Sequence, residues 1–262
     1  MAYLLIFSFG ILHGANDIKL VQKLQRGQKS FTFFKTLLYY ILIVGLGVVL
    51  FYYLPLLGLL VFVLFSGYHF GEQHWESVFS KSGILRTWAF LSYGLLILFL
   101  LFFTNANQVS LIIEDMTGIT LKSDFYTYGL IISLCLFIIF SSNIISYRKH
   151  YKLIIKETFY LIVFFVVFQT ASLLWGFTIY FILWHSLPSL IDQILYLYGS
   201  LTKRNMWLYF KSSALNWIVS LLGLVILYAI FNSREQLFLS IFFSFLAAIT
   251  FPHVLVMSKL KK

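Results

Sequence analysis

Along this chain, apolar runs close to the ~20 residues a helix needs to cross a bilayer succeed one another, separated by short polar stretches. Inside a membrane no water meets the backbone, so a spanning segment must satisfy its own N–H and C=O groups. The runs near 2–18, 36–54, 56–75, 86–103, 125–146, 157–176, 179–199, 207–231 and 236–258 therefore predict an all-α, polytopic transmembrane helical bundle of eight or nine spans. Charged residues make up only 11% of the chain and the mean hydropathy is +0.91, which leaves no room for a soluble domain. We expect a single integral-membrane domain over 1–262. The opening "MAYLLIFSFGILHG" has neither a basic n-region nor a small-residue cleavage site, and predicts a retained first span rather than a cleaved signal peptide.

The polar segments sort by charge. Lys19, Lys23, Arg26, Lys29 and Lys35 come after the first run, Lys81 and Arg86 after the third, and Arg148, Lys149, Lys152 and Lys156 after the fifth. With Lys203, Arg204, Lys211, Lys259, Lys261 and Lys262, seventeen of the nineteen basic residues fall on one side of a nine-span arrangement, and only Lys122 and Arg234 on the other. Positive residues stay in the cytoplasm. The expectation is an inner (cytoplasmic) membrane protein, its N-terminus outside and its C-terminus cytoplasmic. The net charge of +10 then reflects topology and anionic headgroups, and no interleaving of basic and aromatic residues points to nucleic acid. Cys135 is the only cysteine, so an intrachain disulfide and a cysteine-based metal site are both excluded.

Against this background "SGYHFGEQHW" (66–75) stands out, because it places two histidines, a glutamate and a glutamine at the end of an apolar run. Five of the six histidines, His13, His69, His74, His185 and His253, lie within or at the ends of expected spans, whereas His150 sits in the loop sequence "YRKHYK". Ionisable groups at membrane depth cost a few kcal/mol each and are generally functional. On a regular helix Asp17 shares a face with His13, Glu72 with His69 and Asp192 with His185. A metal-bound imidazole commonly gives its second N–H to a carboxylate, so this spacing suits ligands with orienting partners.

A lone histidine in a membrane helix is more often an interhelical hydrogen-bond partner than a ligand. Four of them at converging depth, three with a carboxylate on the same face, point to a shared metal site. His74 lies about 140° round the helix from His69, so both face one metal only if the helix breaks near Gly71. His185 sits too far toward the outer side unless Pro188 bends its helix. The glycines of "HGAND" and "HFGEQ" have close helix packing as their commoner role.

Imidazoles with open coordination positions suit iron, copper or zinc. A substrate met inside hydrocarbon is most simply a lipid, and iron with free positions can bind dioxygen beside an alkene, whereas zinc hydrolysis needs an ester and water. The crowded HxxxH and HxxHH boxes of membrane desaturases are absent, since no two histidines lie closer than five residues.

The blocks "GILHGANDIKL", "SGYHFGEQHW", "YFILWHSLPSLIDQ" and "TFPHVLVM", running in order from residue 10 to 257, resemble the Brp/Blh family of membrane enzymes. That family is similar in function to the carotenoid-cleaving dioxygenases, and splits β-carotene at its central double bond into two retinals. The resemblance implies a non-haem Fe(II) cofactor, O2 as cosubstrate, a lipophilic polyene as substrate, and a functional link to a microbial rhodopsin. It matches His13, His69 and His185 to metal ligands, with Asp17 and Glu72 as their acidic companions. The family carries a further histidine one turn after the "WHS" block, where this chain has Ser189. His253 of "FPH" is the expected fourth ligand and His74 its reserve, while Ser189 and Asp192 join the surrounding shell. Two other readings stay open: a metal or proton transporter, which usually shows inverted repeats not found here, and a catalytically silent helper of rhodopsin or carotenoid assembly.

Overall fold

The computed structural model describes residues 1–24, 33–79, 83–142, 147–231 and 235–260. Of the charges that orient the chain, Arg26, Lys29, Lys81, Arg234, Lys261 and Lys262 lie outside the described residues, as do the side chains of Arg148 and Lys149. Every regular element among the described residues is helical. In chain order these are α1 (Ala2–Leu5, continued by a π-helical turn Ile6–Gly10), α2 (Asp17–Leu24), α3 (Phe33–Tyr53), α4 (Pro55–Trp75), α5 (Ile84–Thr104) and α6 (Ala106–Thr117). Then come α7 (Ser123–Ser142), α8 (Tyr147–Thr170), α9 (Leu173–Tyr180, continued by a π-helical turn Phe181–Ser186), α10 (Leu187–Tyr198), α11 (Lys203–Phe231) and α12 (Glu235–Leu260).

Among the described residues eight helices are long and apolar enough to cross a membrane, from Phe34–Tyr53 to Ile241–Lys259. They answer to the second to ninth expected spans, but the span expected at 157–176 runs across a break after Thr170: the helix there is His150–Thr170, and the next begins at Leu173. The first expected span is not a continuous helix: the π-helical turn at Ile6–Gly10 gives way to a turn over residues 13–16 before α2 begins. Sequence hydropathy registers apolar length and is blind to such an interruption. The segment 104–124, expected as a loop, contains α6, which buries Val109 and Ile113 and ends at Gly118 in the left-handed region (φ 71°). Such a cap is the common way for a helix to stop, because glycine has no Cβ to oppose a positive φ.

Packing divides the chain into two compact units, Met1–Gly58 with Thr178–Lys262, and Leu59–Phe177. In the first, α12 packs along α3, where Gly47 lets the Ala248–Phe251 stretch approach and Phe51 stacks on Phe251 at 6.4 Å. The two π-helical turns pack against each other in this unit, and a Cβ on Gly10 would come within 2.5 Å of the Phe181 ring.

In the second unit α5 is the central helix, packed on α7 and α8. α4 meets α5 backbone to backbone: a Cβ on Gly71 would collide with the Phe90 carbonyl, and one on Gly94 with the Gly67 carbonyl. The glycine of "HFGEQ" thus serves close helix packing, as small residues do in membranes, where burial of apolar surface does not itself drive helices together. A methyl group at 71 has only rigid backbone to push against. Gly71→Ala is therefore expected to cost about 1–3 kcal/mol, read as a lowered thermal midpoint of the detergent-solubilised protein. An unchanged midpoint would contradict this packing.

Candidate metal centre

His13 falls in the turn just after the first π-helical turn, and His185 within the second. π-helical turns are frequent at functional sites, since the extra residue in the turn re-aims side chains. A helix bent at Pro188 is one way for His185 to reach the depth of the other histidines. Instead Pro188 sits at the start of α10, and the widened turn just before it absorbs the hydrogen bond and the space that proline denies to the preceding turn. The third histidine, His253, is carried by α12 next to Pro252.

These three come together inside the first unit. One ligand atom from each of His13, His185 and His253 lies within 4.8 Å of the others, and among the described residues this is the group suited to a metal. The ring of His13 stands nearly perpendicular to that of His185 (centroids 5.1 Å apart) and to that of His253 (4.6 Å). All three are buried, at 3%, 2% and 6% exposure respectively. Phe181 stacks on His185 at 5.3 Å and meets His13 edge-on at 5.8 Å, so an apolar ring closes one side of the cluster.

Asp17 is 1% exposed and its carboxylate lies 3.0 and 3.1 Å from His253 Nδ1. A carboxylate only accepts, so the proton sits on Nδ1 and Nε2 carries the lone pair, the tautomer a metal ligand requires. The hydroxyl of Tyr40 donates to the same carboxylate at 3.2 Å. Regular helical spacing assigns Asp17 to His13. The turn over 13–16 breaks that spacing, and the carboxylate bonds His253, a residue 236 positions away.

Asp192, expected on the face of His185, is exposed, whereas Gln193 beside it is buried. Ser189 is buried and accepts a hydrogen bond from Gln193 Nε2 at 3.2 Å.

His69 and His74 belong to the second unit. His69 and Glu72 are both buried, with Nδ1 and Oε2 3.8 Å apart, as their spacing predicts, and Tyr68 donates to the other carboxylate oxygen at 3.0 Å. α4 runs unbroken through Gly71, and His74 Nδ1 lies 2.7 Å from Glu157 Oε2. Tyr93 donates to that same oxygen at 2.8 Å. The reserve ligand is thus engaged by a carboxylate far from it in sequence, whose one sequence signal is that it stands alone at the head of an apolar run.

The set fits a metal bound through imidazole nitrogen, whether iron, copper or zinc. Three atoms within 4.8 Å of one another share a point no more than ~2.8 Å from each, and a small rotamer change shortens that to the ~2.1 Å of a metal–imidazole bond. Neutral nitrogen donors without thiolate suit a non-haem metal that must keep positions open.

The family model for beta-carotene 15,15'-dioxygenase matches residues 4–261. The chain belongs to that family. No curated protein and no solved structure matches it. The match spans all four histidine-bearing blocks.

Tyr40, Gln193 and Tyr209 also stand around the centre, and sequence reasoning misses them: they are polar groups in apolar runs whose only signal is their depth. Asp17→Ala removes the acceptor from His253 Nδ1. Histidine-selective 15N NMR should then show His253 passing from a single Nδ1–H tautomer to a mixture, while an unchanged spectrum would deny the pairing.

Proposed function

We propose that this protein cleaves β-carotene at its central double bond with O2, giving two retinals, at an Fe(II) held by His13, His185 and His253. The observation that carries the reading is the convergence of these three buried imidazoles in a chain of the beta-carotene dioxygenase family. His69 enters the ligand set on its sequence block alone. Iron bound here would supply the activation of dioxygen that cutting a double bond requires.

The protein's own part is placement. Cleavage adds one oxygen atom to each carbon of the bond and transfers no proton, so the residues are asked to hold and orient rather than to titrate. Asp17 keeps the proton of His253 on Nδ1 and so directs Nε2. Phe181, stacked on His185, adds an apolar wall beside the donors and helps to exclude water. The substrate is a hydrocarbon that reaches the site from lipid, in keeping with eight apolar helices.

The charge distribution supports a cytoplasmic-membrane location with the N-terminus outside, which requires the interrupted segment 1–24 to cross along with the eight long helices. A phosphatase reporter fused after Lys262 should then be inactive and a fluorescent one bright; the opposite result overturns this orientation.

Expressed in bacteria that make β-carotene, the protein should bleach the pigment and yield retinal by chromatography. His13→Ala, His185→Ala and His253→Ala should each lower retinal at least a hundredfold at equal membrane expression. Full activity in any one removes that residue from the ligand set, and His69→Ala tests the fourth in the same way. Chelation should abolish activity, and Fe(II) but not Zn(II) should restore it.

A further inference from the structure

An interrupted helix in a membrane leaves carbonyls that no water can satisfy. Around the "HGAND" turn α11 supplies the donors. Trp217 Nε1 donates to the Ser8 carbonyl at 2.9 Å and Asn216 Nδ2 to the Ala15 carbonyl at 2.8 Å. The Asn16 side chain is clasped at both ends, its Nδ2 donating to the Tyr209 carbonyl at 3.1 Å and its Oδ1 accepting from Ser212 at 2.8 Å. Tyr209, Ser212 and Asn216 are spaced three and seven residues apart, so they form one face of α11.

Tyr209 differs from the others because it also reaches the second histidine-bearing element. Its hydroxyl lies 3.2 Å from the His13 carbonyl oxygen and donates to Gln193 Oε1 at 2.7 Å. Gln193 Nε2 in turn donates to Ser189 Oγ, with Met257 Sδ at 3.6 Å, and Ser189 stands one turn beyond His185. Tyr209 and Gln193 are each 1% exposed.

We propose that Gln193 and Tyr209 are positioning residues that fix the separation of His13 from His185, through a buried connection running from Ser189 to the His13 backbone. This role rests on the metal centre proposed for the three histidines. Glutamine suits the place because one side chain donates to Ser189 and accepts from Tyr209, whereas a leucine does neither. A pair that merely filled hydrogen bonds would affect stability alone. A positioning pair also changes the ligand field and affinity of a metal bound to the histidines, as partners beyond the ligands commonly do by about 10- to 100-fold.

The test is titration of Co(II) into the purified, metal-stripped full chain, read by its d–d absorption. One site is expected, lost in His13→Ala. Tyr209→Phe and, independently, Gln193→Leu should weaken Co(II) binding about tenfold or more and shift the d–d bands. Tyr228→Phe, an exposed position on the same helix, should leave both unchanged. If Tyr209→Phe or Gln193→Leu folds and binds Co(II) with the original affinity and spectrum, the positioning role is overturned while the metal centre stands. If the unmodified protein binds no Co(II), or His13→Ala binds it equally well, the metal reading fails and the positioning role fails with it.

Discussion

A membrane interior offers backbone polar groups no water, and this one constraint explains why the histidine site is built as it is. The chain gives up regular helix next to His13 and around His185, and each departure carries a cost of unmet hydrogen bonds unless protein supplies partners. The turn at 13–16 has its Ala15 carbonyl and its asparagine side chain met by a single face of α11. The second π-helical turn immediately precedes Pro188, whose missing N–H and ring it accommodates. The gain is direction: both histidines are turned toward a third on α12, a convergence that regular helices would not give.

Charge is managed by the same principle. A carboxylate inside the membrane is tolerable only when hydrogen-bonded. Asp17 takes His253 and Tyr40; Glu157 takes His74 and Tyr93, with Lys156 at 3.3 Å from its second oxygen. The two clusters share a design and differ in their company. Beside Asp17 and His253 stand two further histidines within ligand range, and in the second unit Glu157 and His74 tie α8 to α4. A buried carboxylate–histidine pair is therefore not sufficient to identify a metal centre; the number of converging donors separates the two cases.

Much of the site is legible in the sequence, because its histidines are conspicuous in an apolar chain and their spacing to carboxylates is simple to read. His69 with Glu72 behaves as helical spacing requires, since α4 is unbroken. Asp17 bonds a ring to which its spacing does not point, because spacing rules assume 3.6 residues per turn and the turn over 13–16 interrupts the helix before it. Gln193 and Tyr209 are hidden for a different reason. Their partners are backbone carbonyls and distant side chains, and no local pattern encodes a contact between residues 13 and 209.

By itself the sequence determined an all-helical polytopic protein, the approximate places of eight long apolar helices and the short list of residues able to hold a metal, because length, hydropathy and residue chemistry are local properties. Only the tertiary structure decided which histidines meet, which carboxylate serves which ring, and where the helices give way. Those outcomes depend on how helices far apart in sequence satisfy one another's hydrogen bonds where water is absent.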